Sequence, residues 1–209
     1  MELLDKTSMR TRVYNIIKER IMTQTYKFGE QIRIQPLCKE LGVSNTPVRE
    51  ALALLEMEGL VSSSLNYRVK VVEMSPQLGT EMDQTLLVLI SGAYHLCTAH
   101  RITDKLILPM EKALKCQEEA LTGDIHEAVG AAMQFDRCFV DVIDNKKLLR
   151  TFDEQYDLFY LMTCCNYDKA ERTREESLRQ HKMIYEAVKE HRHEDVYQLL
   201  SLHYSLPVH

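Results

Sequence analysis

Residues 37–61 read LCKELGVSNTPVREALALLEMEGLV, and this stretch decides the fold of the N-terminal part of the chain. Leu37, Cys38 and Leu41 lie on one side of a first short helix. Gly42 follows, the residue type best able to take a left-handed turn, and Val43 is expected to plug inward. Ser44, Asn45, Thr46 and Pro47 then open a second helix. They supply N-cap candidates and a proline in the first turn, where its missing N–H costs nothing. Val48, Ala51, Leu52 and Leu55 continue at i, i+3, i+4, i+7 spacing as one buried stripe. The opposite face offers Asn45, Thr46 and Arg49. That is the pattern of a helix-turn-helix, whose second helix enters a DNA major groove. An ordinary helical hairpin buries a similar stripe, so the flanks must decide between the two.

Upstream, Val13, Ile16, Ile17, Arg20 and Ile21 form another amphipathic helix, ending near Tyr26-Lys27-Phe28-Gly29. Downstream, Glu58-Gly59-Leu60-Val61 closes the second helix at a glycine. Ser62 to Ser64 and Tyr67 to Val72 then read as two short strands around Leu65-Asn66. Three helices followed by a hairpin make a winged helix-turn-helix. Charge agrees with this division. The whole chain carries a net −5, but residues 1–74 hold 11 Lys/Arg against 9 Asp/Glu, whereas residues 75–209 hold 15 against 22. Local charge, not the total, decides how phosphates are met. Arg10, Arg12, Arg33, Lys39, Arg49, Arg68 and Lys70 are the basic residues best placed for that. Arg10, Arg33, Arg49 and Arg68, with Gln35, Ser44, Asn45, Thr46 and Asn66, form the candidate DNA-contacting set.

The 209 residues are enough for two modest domains, and 45% hydrophobic with 27% charged is an ordinary globular composition. The longest apolar run, Leu86 to Ile90, is far too short to span a bilayer. Met1 to Asp5 is acidic, so no secretory signal is expected. The six cysteines have neither metal-type nor disulfide-framework spacing, which predicts reduced thiols and a cytoplasmic location. No glycine-rich phosphate loop, nucleophile elbow or pair of catalytic carboxylates appears.

The boundary between residues 1–74 and 75–209 falls at Glu73-Met74-Ser75-Pro76, where Ser-Pro opens a helix and the strand-forming residues stop. Helical patterns are expected over 76–101, 104–121, 124–143, 146–165, 169–191 and 194–205. Pro109 should kink the second of these or mark a later start. The run Lys169 to Glu176 alternates in charge sign and reads as an exposed helix face. The predicted fold is therefore mainly α, a winged helix-turn-helix followed by an all-helical antiparallel bundle with short connections.

The string Gly42 to Leu52, GVSNTPVREAL, followed by Leu55 to Val61, LEMEGLV, resembles the DNA-binding domain of GntR-type bacterial transcription regulators over about residues 9–73. Relatives usually carry an arginine where Asn45 sits and a glycine-bearing wing tip where this chain has Leu65-Asn66-Tyr67. Both positions touch DNA in relatives, so the resemblance implies an unusual operator. The helical part resembles the effector domain of the FadR branch, the FCD domain. That likeness implies a ligand pocket inside the bundle and one divalent transition metal, zinc, nickel, iron or manganese. The usual ligands are an Asp-x-x-x-His pair on one helix and two histidines about 22 residues apart. His181 and His203 are 22 residues apart, and the context from His181 to Val188 matches the helix of the third ligand.

The first pair is altered. The ungapped alignment puts Asp136 where a histidine is usual and Ala132 where the aspartate is usual. A rival alignment makes Asp136 the aspartate, replaces the histidine by Val140 and requires a one-turn deletion. Both leave Asp136, His181 and His203 as the metal-ligating candidates. The arginine and glutamate that relatives carry on the first helix of this domain fall near Leu86 and Ile90. The implied pocket is less polar, suited to a less charged or larger effector. Leu86, Ile90, Tyr94, His95, Ala132, Met133, Tyr156 and Tyr160 are the lining candidates.

The function this implies is a ligand-responsive regulator, with repression as the family default. Two winged domains read two half-sites of a short palindrome, held together by a homodimer of helical domains and controlled by a small-molecule effector. A metal-dependent enzyme using Asp136, His181 and His203 is the alternative from another class, and no general base or nucleophile accompanies that set. A third reading is a DNA-binding protein that has lost effector sensing.

Overall fold

The computed structural model describes residues 8–63, 68–168 and 173–204. The chain divides into two compact units, Met1–Met74 and Ser75–His209.

In the first unit, α1 spans Met9–Met22, and the Ser8 hydroxyl caps it by accepting the Thr11 N–H at 3.2 Å. Val13, Ile17 and Ile21 repeat every four residues and are fully buried, and this stripe packs on α3. The second helix, α2 (Ile34–Leu41), stops at Gly42, which takes φ 65° and ψ 32°. A side chain there would cost roughly 1–2 kcal/mol, so the tight turn needs the glycine. The third helix, α3 (Asn45–Met57), buries Val48, Ala51, Leu52 and Leu55, the stripe read from the sequence.

Three short strands join this core in one antiparallel sheet of order β1-β3-β2, with β1 at Gln31–Ile32 between α1 and α2, and β2 at Val61–Ser63 and β3 at Val69–Val71 after α3. Val61 pairs with Val71 and Ser63 with Val69. The expected wing strands are present with ends shifted by one or two residues, and the expected tip residues Leu65, Asn66 and Tyr67 lie outside the described residues. Strand β1 was not expected. Two residues between Glu30 and Arg33 carry no readable alternation, and only pairing with β3 makes them a strand.

The second unit opens as the Ser-Pro pair predicts. The Ser75 hydroxyl accepts the Leu78 N–H at 3.1 Å, and Pro76 takes the first position of α4 (Pro76–Ala99). Helices α5 (Asp104–Glu119), α6 (Ile125–Asp141), α7 (Lys146–Asp168), α8 (Arg174–Lys189) and α9 (His193–His203) complete it, with a 3-10 turn at Ala120–Thr122. Helix α6 buries ten of its residues, from Ala128 to Val140, and packs against α4, α5, α7 and α8. A helix apolar nearly all round belongs in the centre.

Helix α5 starts at Asp104, where its pattern begins, and runs through Pro109, so of the two outcomes expected at the proline the later start is not taken. The carbonyl left without a partner belongs to exposed Lys105, where solvent can satisfy it. Helix α7 continues to Asp168 instead of breaking at Asn166, because Asn166 and Tyr167 are half-buried on the bundle. The charge-alternating run Lys169 to Glu176 lies in part outside the described residues.

All six cysteines are free. Burial pushes the Cys97 and Cys164 thiols up to about 11 and that of Cys138 up to about 12, so these three stay protonated and unreactive at neutral pH. Among the described residues no helix is long and apolar enough to cross a membrane.

Candidate functional site

The first site is the exposed start of α3. Ser44 is the N-cap with extended backbone, and its side chain makes no cap hydrogen bond. Asn45, Thr46 and Arg49 are all exposed. Ser44 and Thr46 share one open concavity with Arg10 from the first turn of α1, together with Gly42, Val43, Pro47 and Glu50. Arg33 occupies the N-cap position of α2 without a side-chain cap hydrogen bond and lines a second concavity with Glu30 and Glu40. Glu40 is engaged by Arg20 at 2.5 Å, and that guanidinium holds its carboxyl below the usual carboxylate range. Arg68 is exposed just before β3, while Asn66 lies outside the described residues.

Asn45, the departure from the family pattern, is turned toward α2. Its Oδ1 accepts from Gln35 Nε2 at 3.4 Å and from the Cys38 thiol at 3.3 Å. Those contacts tie the turn together and orient the amide at the start of the recognition helix.

The second site lies inside the bundle. Asp136 on α6, His181 on α8 and His203 on α9 are all buried, and their ligand atoms lie within 4.8 Å of one another. The two Nε2 atoms are 3.1 Å apart, and His181 Nε2 is 3.8 Å from Asp136 Oδ1. Each Nδ1 faces a glutamine carbonyl oxygen at 2.8 Å, Gln117 for His181 and Gln180 for His203. The orientation of Gln180 is fixed, because its Nε2 donates to the Glu176 carboxylate at 2.9 Å. A carbonyl only accepts, so each Nδ1 carries the proton. With Nδ1 the donor on both rings, the two Nε2 atoms converge where a single cation between them would be ligated by both. Phe135 stacks on His181 with ring centroids 4.2 Å apart, and the Tyr204 hydroxyl donates to Asp136 Oδ1 at 2.7 Å. These neighbours hold the three groups in register.

The adjoining cavity is small, with room for about 20 Å³, close to that of one water. Asp83, Ala132, Met133, Asp136, Phe159, Met162, Thr163, Asn166, Tyr167, Ser177, His181 and His203 line it. Of the residues proposed to line a pocket, Ala132 and Met133 are there. The others are elsewhere. Leu86 and Ile90 are fully buried packing of α4. Tyr94 packs edge-on against Phe139 and Tyr197, with its hydroxyl 2.7 Å from His193 Nδ1. Tyr160 stacks on His126 and bonds its Nδ1 at 2.6 Å. Tyr156 is half-buried on α7, and His95 is exposed. Val140 is wholly buried on α6 and offers no donor.

The cavity is also more polar than expected. Its unforeseen members include Asp83, Thr163, Asn166 and Ser177. One of them left a sequence signal. Gly79, Met82, Asp83, Leu86 and Ile90 are the buried stripe of α4, so a carboxylate interrupts an apolar helix face. The glutamines behind the histidines left none, since an isolated glutamine in a helix reads as surface.

Comparison with known proteins places both units of the chain. Residues 9–71 match the description "Bacterial regulatory proteins, gntR family", and residues 89–206 match the FCD domain. The HTH-type transcriptional regulator YdhC of Bacillus subtilis (strain 168) is 29% identical over 205 residues, 97% of this chain and 91% of its own. A protein of Paenarthrobacter nicotinovorans named "Probable D-xylose utilization operon transcriptional repressor" is 27% identical over 152 residues, 72% of this chain and 66% of its own. The solved structure of a GntR-type transcriptional regulator from Rhodococcus sp. RHA1 shares the fold with a TM-score of 0.73 at 22% identity, covering 95% of this chain and 94% of that one. The chain belongs to the gntR family of bacterial regulatory proteins, in the form that joins a winged DNA-binding unit to an FCD domain, and is a transcription regulator.

Proposed function

We propose that this chain is a cytoplasmic, ligand-controlled repressor that binds a short palindromic operator as a homodimer. The observation that carries the DNA-reading half is the exposed start of α3, where Ser44 and Thr46 share a concavity with Arg10 and Arg49 is exposed on the following turn. One recognition helix reaches only a few base pairs, so two copies on one palindrome supply the specificity. The wing contributes Arg68 and Lys70, both exposed, to the flanking phosphates.

Control resides in the helical unit, and Asp136, His181 and His203 hold a divalent transition metal there. Two nitrogens each about 2.0–2.1 Å from a tetrahedral ion lie about 3.3 Å apart, and the 3.1 Å between the two Nε2 atoms is close to that. The Nδ1 protons donated to Gln117 and Gln180 fix the tautomer that leaves Nε2 free to ligate. When bound, the ion supplies the positive centre that pulls α6, α8 and α9 together. The two states of that cluster then favour different arrangements of the winged units.

The test is selection from a random duplex pool by the purified full-length chain, followed by native mass measurement of the complex. The expected result is an enriched sequence with two inverted half-sites, bound by two chains. Enrichment of no sequence, or one chain per duplex, contradicts the proposal.

A further inference from the structure

Asn45 opens α3 with one end of its amide already engaged by α2. We propose that Asn45 is a guanine-selecting residue: with its oxygen held on the protein side, it meets the major groove through its N–H donors alone and prefers guanine to adenine at the base it faces. This rests on the reading of α3 as the DNA-contacting helix.

Gln35 Nε2 donates to Asn45 Oδ1 at 3.4 Å, and the Cys38 thiol donates to the same oxygen at 3.3 Å. An amide oxygen has two lone pairs, and these two donors take both. The sulfur settles which end of the amide faces α2. Cys38 Sγ also lies 3.7 Å from the Ser44 carbonyl oxygen, so the thiol sits among acceptors and acts as a donor. Turning Nδ2 toward it would aim two N–H groups at a sulfur that accepts only weakly. Cys38 is buried on α2 while Asn45 is exposed, so the contacts lie on the protein side of the amide and Nδ2 diverges from them. Two N–H donors are then what the side chain offers to a groove. Guanine and adenine both carry N7 as an acceptor and differ beside it, guanine with the O6 acceptor and adenine with the N6 donor. An asparagine amide with both ends available reads adenine, accepting from N6 and donating to N7. Asn45 has no lone pair left for N6, whereas O6 and N7 of guanine both accept from its N–H groups.

The test compares the full-length chain with Asn45→Ala and Asn45→Asp by fluorescence anisotropy. The duplexes are the selected operator and variants of it in which each purine of the half-site is exchanged, guanine for adenine and the reverse. The wild type is expected to favour guanine over adenine at one position by at least about fivefold per half-site, the low end for a specific base contact. Asn45→Ala is expected to lose the preference at that position alone. Asn45→Asp keeps an oxygen toward Gln35 and Cys38 and turns an acceptor outward in place of the donors, so it is expected to reverse the preference to adenine. A carboxylate in the first turn suits a helix N-terminus, and matching thermal melts exclude unfolding as the cause. A guanine preference that Asn45→Asp retains, or a wild-type preference for adenine where Asn45→Ala loses discrimination, overturns the proposal. Asn45→Ala binding every duplex weaker by one common factor makes Asn45 a phosphate contact and overturns it too, while the DNA-contacting role of α3 stands. Asn45→Ala binding as the wild type does has the same consequence. Failure of the wild type to prefer any duplex sequence removes the DNA-reading face and this proposal together.

Discussion

Replacing Arg49 by alanine is expected to lower operator affinity by roughly 30-fold to 10⁴-fold while leaving the fold and the dimer intact. Arg49 is exposed on the first turns of α3, and the buried stripe of Val48, Ala51, Leu52 and Leu55 does not include it. Alanine and arginine differ little in helix propensity, so the unit should melt as the wild type does. An arginine contact to a base edge is worth about 1–3 kcal/mol, and a dimer makes two of them. At about 1.4 kcal/mol per factor of ten, the loss falls in the stated range. Fluorescence anisotropy on the selected duplex measures it. Unchanged affinity would remove Arg49 from the reading face and put the orientation of α3 on DNA in question.

His203→Gln should abolish metal binding at micromolar concentrations and with it the stabilisation that metal confers. His203 supplies one of the two converging Nε2 atoms, and its Nδ1 partner Gln180 is itself held by Glu176. A ligand present at a hundred times its Kd stabilises the folded state by about 2.7 kcal/mol. For a domain of this size that corresponds to a rise in Tm of roughly 10 °C. Thermal melts of wild type and variant, with and without Zn(II), check it. The wild type should show the rise and His203→Gln should not. An equal rise in both would mean that the ion binds elsewhere.

Much of this molecule was legible in its residues. The recognition helix declared itself through three local signals that act within a few residues: Gly42 at the left-handed turn, the polar residues before Pro47, and the apolar stripe from Val48 to Leu55. Helix starts in the bundle were legible for the same reason, as at Ser75-Pro76, whose capping bond forms within one turn. What escaped depends on partners distant in sequence. Gln31–Ile32 becomes a strand only because β3 lies beside it. Gln117 and His181 are 64 residues apart, and Tyr204 and Asp136 are 68 apart. Tyr94, Tyr156 and Tyr160 look like pocket residues by type, yet tertiary packing gives each a different neighbour. Asp83 was the exception that could have been found, since a buried helix stripe rarely holds a carboxylate without a partner.

The central claim is that the state of the buried cluster governs DNA binding. The most direct test is the affinity of one preparation for its selected operator, measured by anisotropy after loading with Zn(II) and again after removal of the ion by a chelator. Coupling between two such sites is typically about 1–3 kcal/mol, a factor of roughly 5 to 150. The account predicts a difference of at least about fivefold between the two states. Equal affinities, with exchange of the ion verified on the same samples, would contradict it.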